Sequence, residues 1–172
     1  MEQIRLLPVQ KKRYEEFFEL TRKNDAFLRV WLPWLDAMQT PVNSFRYLAD
    51  CEHKFRHQLA YHYFLISNDA IIGTIGLRDV IDRTALVGYW LDEAHTCRGI
   101  MSQALGTLSL HAFERLNIDT LFLRCAELNA ASNRVAQKAG FHRSGRINNG
   151  ENLYGVLHDL IVYRLDRADV GR

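Results

Sequence analysis

V-G-Y-W-L-D-E-A-H-T-C-R-G-I-M-S-Q-A-L, residues 87 to 105, is the stretch on which the fold turns. It opens as a strand, with Val87, Tyr89 and Leu91 alternating to one face, and passes through a short polar turn. It becomes a helix near Gly99, where Ile100, Ala104 and Leu108 fall on one apolar stripe. The first N–H groups of a helix have no partner inside it, and the helix dipole favours an anion there. Arg98 sets a cation beside those groups, and Gly99 lets the backbone approach a ligand closely. Such a turn serves either as a phosphate cradle or simply as a packing junction between a strand and a helix.

A second stretch, A-E-L-N-A-A-S-N-R-V-A-Q-K-A-G-F at 126 to 141, reads as a strand end, N-x-x-S, and a helix stopped by Gly140. Together the two stretches resemble the acyl-CoA-binding core of the GNAT superfamily of N-acetyltransferases. The first is similar to its pyrophosphate loop (Q/R-x-x-G-x-G/A), and the second to its N-x-x-S helix ending in G-F. Y-W-L-D-E, G-I-M, N-A-A-S-N-R-V-A and W-L-P-W at 31 to 34 further resemble the RimJ/RimL group, which acetylates N-terminal amines of ribosomal proteins. The resemblance covers roughly Leu6 to Leu165. It departs from the pattern at Thr96 (for Gln or Arg), at Met101 (for Gly or Ala) and at Cys97, where glycine is common. These changes predict a stiffer turn with one side-chain contact to CoA lost.

The fold class that follows is α/β (α+β). We expect a single GNAT domain over 1–172, with a mixed, mostly antiparallel, splayed sheet of six to seven strands and about four helices on both faces. A chain of 172 residues is ordinarily one domain with a substantial core. With 48% hydrophobic and 24% charged residues it belongs with ordinary globular proteins rather than disordered or fibrous ones. A net charge of +2 is too balanced for a nucleic-acid footprint. The charged first thirty residues predict neither a signal peptide nor a membrane span. Three widely spaced cysteines, Cys51, Cys97 and Cys125, argue against a disulfide framework and for the cytoplasm. Cys51, His53 and His57 lack a fourth ligand nearby and read as a solvated helix face, so no metal is expected.

Taken in order, residues 1 to 9 form a first strand closed by Pro8, and about 10 to 23 form a helix carrying Tyr14, Phe17, Phe18 and Leu20. An aromatic connection follows, in which Pro33 forbids a long helix. A second helix runs from about 42 to 58 with Phe45, Leu48 and Phe55 inward. Strands at 61–67, 71–80 and 85–91 are joined by turns at Asn68-Asp69 and Asp82-Arg83. Gly73 and Gly76, inside a strand and followed by no helix, mark a bulge or close approach rather than a dinucleotide site. Then come a helix at 99–115, a strand at 120–126, a helix at 131–139, a short strand at 141–146, a loop at 148–155 and a last strand at 156–165.

The resemblance implies acetyl-CoA as co-substrate and direct transfer to a primary amine. Thr96, Cys97, Arg98, Gly99, Ile100, Met101 and Ser102 would hold the pyrophosphate. A main-chain N–H near Trp90 or Leu91 would polarise the thioester oxygen, and Asn129 would meet the pantetheine arm. Asn129 is equally placed to cap the helix behind it. Ser132 occupies the family's position for the acid that protonates the leaving thiolate, and could instead be only a residue of the helix's first turn. Glu151 matches the base that takes the amine proton; read without the family it is a solvated loop carboxylate. An α-amine, with a pKa of about 8, needs less help than a lysine near ~10.4, which suits N-terminal acceptors. Trp31 and Trp34 either line the acceptor pocket or staple a helical flap to the sheet, and Asp159 is a weaker acceptor-binding candidate.

The implied partner is thus a protein N-terminus, with a homodimer as the family's assembly, and neither nucleic acid nor membrane. Two rivals stand beside this reading. One is acetylation of a small amine (a polyamine, amino sugar or antibiotic), for which Asp36, Asp50, Glu52 and Glu151 are too scattered to decide. The other is a non-catalytic acyl-CoA-binding module.

Overall fold

The computed structural model describes residues 3–170. Its strands are β1 (Arg5–Pro8), β2 (Tyr61–Ser67), β3 (Ala70–Ile81), β4 (Thr84–Leu91), β5 (Thr120–Ala126), β6 (His142–Leu153) and β7 (Val156–Asp166). Its helices are α1 (Tyr14–Lys23), α2 (Asp25–Leu28), α3 (Pro41–Arg56), α4 (Ile100–Arg115) and α5 (Ala130–Lys138). The seven strands are hydrogen-bonded in the order β1-β2-β3-β4-β5-β7-β6. β1–β2, β5–β7 and β6–β7 are antiparallel, whereas β4–β5 is parallel. This is the mixed sheet the sequence predicts. Among the described residues no helix is long and apolar enough to cross a membrane.

Two compact units make up the chain. The first comprises Met1–Gly76 and Tyr89–Arg98. Its core gathers Phe17, Leu28, Leu35, Leu48, Cys51, Phe64, Ile66, Ile71 and Trp90. Phe17, fully buried, stacks on Tyr47 at 5.8 Å and meets Trp90 edge-on at 6.0 Å. Aromatic pairs in these arrangements are favourable beyond their burial. Pro41 follows Thr40, whose side chain and Asn43 form a reciprocal capping box, so α3 starts where proline is tolerated. Arg13 grips Glu16, and Glu16 in turn accepts the Ile71 N–H at 2.7 Å, tying α1 to the start of β3. Phe45 departs from its expected inward position. It is 39% exposed, edge-on to Tyr14 and beneath the Lys11 ammonium, because Leu48, Ser44 and Cys51 take the inner face of α3.

The second unit comprises Leu77–Gly88 and Gly99–Arg172. The expected stripe of α4 is in place: Ile100, Ala104 and Leu108 are buried, joined by Met101, Leu105, Ala112 and Phe113. α5 ends in a Schellman motif. The N–H of Phe141 donates to Ala136 O and that of Gly140 to Gln137 O, with Gly140 at φ 88°. The segment expected to be a short strand and then a loop is one long strand, β6, reaching Leu153. Its polar composition hid it. Ile147 pairs with Leu160 and Glu151 with His158, so residues 148–150 bulge opposite Asp159 alone, and the true turn is Tyr154-Gly155, both at positive φ.

Candidate functional site

In the first unit, β4 ends against β3. A Cβ on Gly73 would overlap the carbonyl oxygen of Trp90 and meet Leu91 Cα at 3.0 Å, so only glycine permits this approach. Gly76 is similarly close to His62. The close approach foreseen for these glycines is therefore present, that of Gly73 falling at Trp90–Leu91. Trp90 and Leu91 are both buried, as are Ala85, Leu86 and Val87, so burial along this strand does not follow a simple alternation.

After Leu91 the chain bends. Asp92 N–H donates to Ile72 O at 2.7 Å, and Glu93–His95 form one 3-10 turn. Thr96 donates both its N–H and its hydroxyl to Glu93 O, at 3.1 and 2.7 Å, so its side chain supports the turn. The Arg98 guanidinium reaches back to Ala94 O at 2.8 Å. Cys97 is exposed and sits at φ 62°, in the left-handed region where glycine is at ease.

The carboxylate of Asp92 lies behind this turn, only 2% exposed for the residue as a whole. It accepts from Asn24 Nδ2 at 2.9 Å and pairs with His95 Nδ1 at 2.9 Å, and Lys23 Nζ stands 3.3 Å from both oxygens. Burial opposes its charge, but the hydrogen bonds from Asn24, His95 and Lys23 and the Lys23 charge outweigh it and hold the carboxyl below its ordinary value. Sequence reading assigned no role to Asp92, though it lies in Y-W-L-D-E, and singled out nothing at Asn24, 68 positions away.

The aromatic candidates also fall in this unit. Trp34 stacks on Tyr47 at 5.2 Å, which makes it a staple of the α3 packing. Trp31 is half-buried, and its N–H donates to Leu28 O. Cys51 is buried while His53 and His57 lie exposed with rings 4.4 Å apart; no group of three metal-ligating side chains occurs among the described residues.

In the second unit, α4 begins at Ile100 with Gly99 as its N-cap at φ 75°. No side chain caps it, and no acidic residue lies in its first turn. Elsewhere α3 and α5 are capped by Thr40 and Asn129, and α1 carries Glu15 and Glu16 in its first turn. Among the described helices of nine or more residues, α4 alone has neither device. The N–H groups of Ile100, Met101 and Ser102 form an open, electropositive end suited to an anion. The Met101 side chain itself is buried in the core.

Asn129 Oδ1 accepts the Ser132 N–H at 3.2 Å, so the capping role is real. The Ser132 side chain hydrogen-bonds the buried Cys125 thiol, which burial pushes up to about 11 against that bond. β4 pairs with β5 from Thr84↔Thr120 to Val87↔Leu123, whereas the β5–β7 ladder runs on to Ala126↔Leu160.

Glu151 is half-buried and shares a strand face with the buried Leu153. Burial raises its carboxyl above the ordinary value, while nearby His158 and Arg78 pull it back. His158, its register partner, and Arg78 went unrecognised in the sequence because their relation to Glu151 depends on the bulge. Asp159 is engaged structurally: it pairs with Arg146 at 2.6 Å and accepts the Asn149 N–H at 2.7 Å, pinning that bulge.

The acetyltransferase (GNAT) domain profile matches residues 3–142. The chain belongs to the GNAT acetyltransferase family. It is 27% identical over 164 residues to the ribosomal-protein-serine acetyltransferase of Escherichia coli, covering 94% of this chain and 92% of that protein. It is 30% identical over 168 residues to the probable N-acetyltransferase YjcK of Bacillus subtilis, covering 94% and 93%. Among solved structures it superposes with a TM-score of 0.92 on RimL, a ribosomal-protein α-N-acetyltransferase in complex with coenzyme A. Identity there is 26%, over 95% of this chain and 93% of that one. This GNAT protein is thus an acetyl-CoA-dependent N-acetyltransferase related to the ribosomal-protein enzymes.

Proposed function

We propose that this acetyltransferase moves acetyl from acetyl-CoA directly to the N-terminal α-amine of a protein, a ribosomal protein in the first instance, as one domain spanning 1–172. Thr96 to Arg98 and the open first turn of α4 (Gly99 to Ser102) take the pyrophosphate. Asn129 takes the pantetheine arm through Nδ2, which its capping bond leaves without a partner among the described residues. A main-chain N–H at Trp90 or Leu91 stabilises the thioester oxygen as charge builds on it.

The amine nitrogen attacks the thioester carbon, and the C–S bond breaks as the tetrahedral intermediate collapses. The amine proton passes to Glu151, directly or through water. The departing thiolate takes a proton from the Ser132 hydroxyl, which water then restores. No covalent enzyme intermediate forms. Glu151 carries this reading: it is a carboxylate on an inner strand face whose affinity for protons burial has raised, as a base working near neutrality needs. Trp31 and Asp159 remain acceptor-side candidates, Trp34 less so given its stacking on Tyr47. A cytoplasmic enzyme and a homodimer go with this reading, the latter testable by sedimentation.

The deciding assay is release of free CoA thiol with two acceptor sets. Peptides with free N-terminal Ser, Ala or Met should turn over and fall silent when N-acetylated beforehand. Turnover confined to polyamines or amino sugars would overturn the proposed acceptor. Acetyl-CoA binding without turnover on either set would leave a binding module.

A further inference from the structure

We propose that Asp92 is a positioning residue for coenzyme A, holding the Thr96–Arg98 segment in its phosphate-binding shape through Asn24, Lys23 and His95. The inference rests on the acetyl-CoA site proposed above and adds to it residues that contact no ligand.

The first unit builds the device from two directions. From α1, Lys23 Nζ and Asn24 Nδ2 converge on the carboxylate, while Asn24 Oδ1 accepts the N–H of Glu93 at 2.9 Å. Asn24 is itself anchored, since its Nδ2 also donates to Leu20 O at 3.0 Å. From the turn, His95 returns to Asp92 twice, by its ring nitrogen and by its N–H to Asp92 O, both at 2.9 Å. Asp92 N–H meanwhile fixes the bend to Ile72.

Two side-chain bonds of the following segment reach back to this turn. Thr96 bonds Glu93 O, and Arg98 bonds Ala94 O. Both carbonyls belong to the turn that Asp92 and Asn24 pin at its start. A buried carboxylate is costly unless its partners surround it, so packing alone gives no reason for one here. The charge-assisted bonds also give the turn a single orientation, which sets where the N–H of Cys97 and the Arg98 side chain face. Asn24 and Asp92 are both buried, whereas the side chain of Lys23 is 62% exposed and closes the knot from solvent.

The test compares two acetyl donors, acetyl-CoA and S-acetylpantetheine, which lacks the pyrophosphate. For Asp92→Asn the KM for acetyl-CoA should rise about tenfold, the loss of one charge-assisted bond, with kcat within about twofold. The kcat/KM for S-acetylpantetheine should stay at the wild-type level. Lys23→Met, altered at an exposed side chain, should move in the same direction by a smaller factor and keeps the test available if Asp92→Asn folds poorly. A melting temperature that falls with both donors' kinetics unchanged would reduce Asp92 to a stability role and overturn the proposal. Equal losses on both donors would overturn it as well. If wild type binds no CoA, the proposal falls together with the site; if it binds CoA and the variants match it, only the positioning role falls.

Discussion

Cys97→Gly should stabilise the protein, because Cys97 holds a backbone conformation that its own Cβ resists. Its φ of 62° is left-handed, which costs an L-residue about 1–2 kcal/mol. The side chain is exposed, so removing it forfeits little packing. Glycine has more freedom in the unfolded chain, which takes back about 0.5–1 kcal/mol. The net gain spans about 0–1.5 kcal/mol and centres on about 0.75 kcal/mol, or about 1.5–3 °C in Tm for a chain of this size. Urea unfolding should show a higher midpoint with an unchanged slope, the mark of altered stability rather than of an altered denatured state. Cys97→Ala keeps the Cβ and hence the strain, and should stay within about 0.5 kcal/mol of wild type. A glycine variant no more stable than the alanine variant would refute the argument. The same substitution restores the residue common in the family's phosphate loop, so the KM for acetyl-CoA should not rise.

Gly73→Ala should cost about 3 kcal/mol or more, since its Cβ overlaps backbone at Trp90 rather than a side chain that can move aside; urea unfolding measures it. Asp92→Asn should lower stability at neutral pH by about 1.5–3 kcal/mol. The folded carboxyl titrates below its unfolded value, so its contribution is present above the unfolded value and is lost as pH falls through the folded one; the variant's stability should lack that part of the acid decline. Glu151→Gln should reduce kcat/KM for a peptide amine by about 100-fold and remove from its pH profile the contribution of a carboxyl raised above its ordinary value, leaving that of the amine itself. Asn129→Ala should cost about 1 kcal/mol as a lost cap and, if Nδ2 meets pantetheine, also raise the KM for acetyl-CoA.

The strands were legible wherever burial imposed a period and a turn imposed a chemistry. β2 and β5 lie on the residues expected, and the Asn68-Asp69 and Asp82-Arg83 turns adopt positive φ at both positions. β6 failed for a physical reason: it is an edge strand, exposed over most of its length, and so carries no apolar alternation to read. Asn148, Asn149 and Gly150 look like a loop because a bulge needs the same residues a loop does. Phe45 failed differently, since its spacing fits the buried face of α3 while smaller residues fill that face first.

Local backbone geometry was easier to foresee than the partners of a side chain. Gly99 and the helix behind it could be placed because one short stretch contains the strand, the turn and the helix start. The setting of Glu151 could not, because its register with His158 is decided by the three-residue bulge and Arg78 comes from β3. The Asp92 knot was still further from view: Asn24 ends one helix and Asp92 ends a strand, and only folding makes them neighbours. What sequence conveyed was therefore the strand, the turn and the uncapped helix start. What folding added was the buried carboxylate of Asp92 with Asn24, Lys23 and His95 around it, an arrangement no local pattern announces.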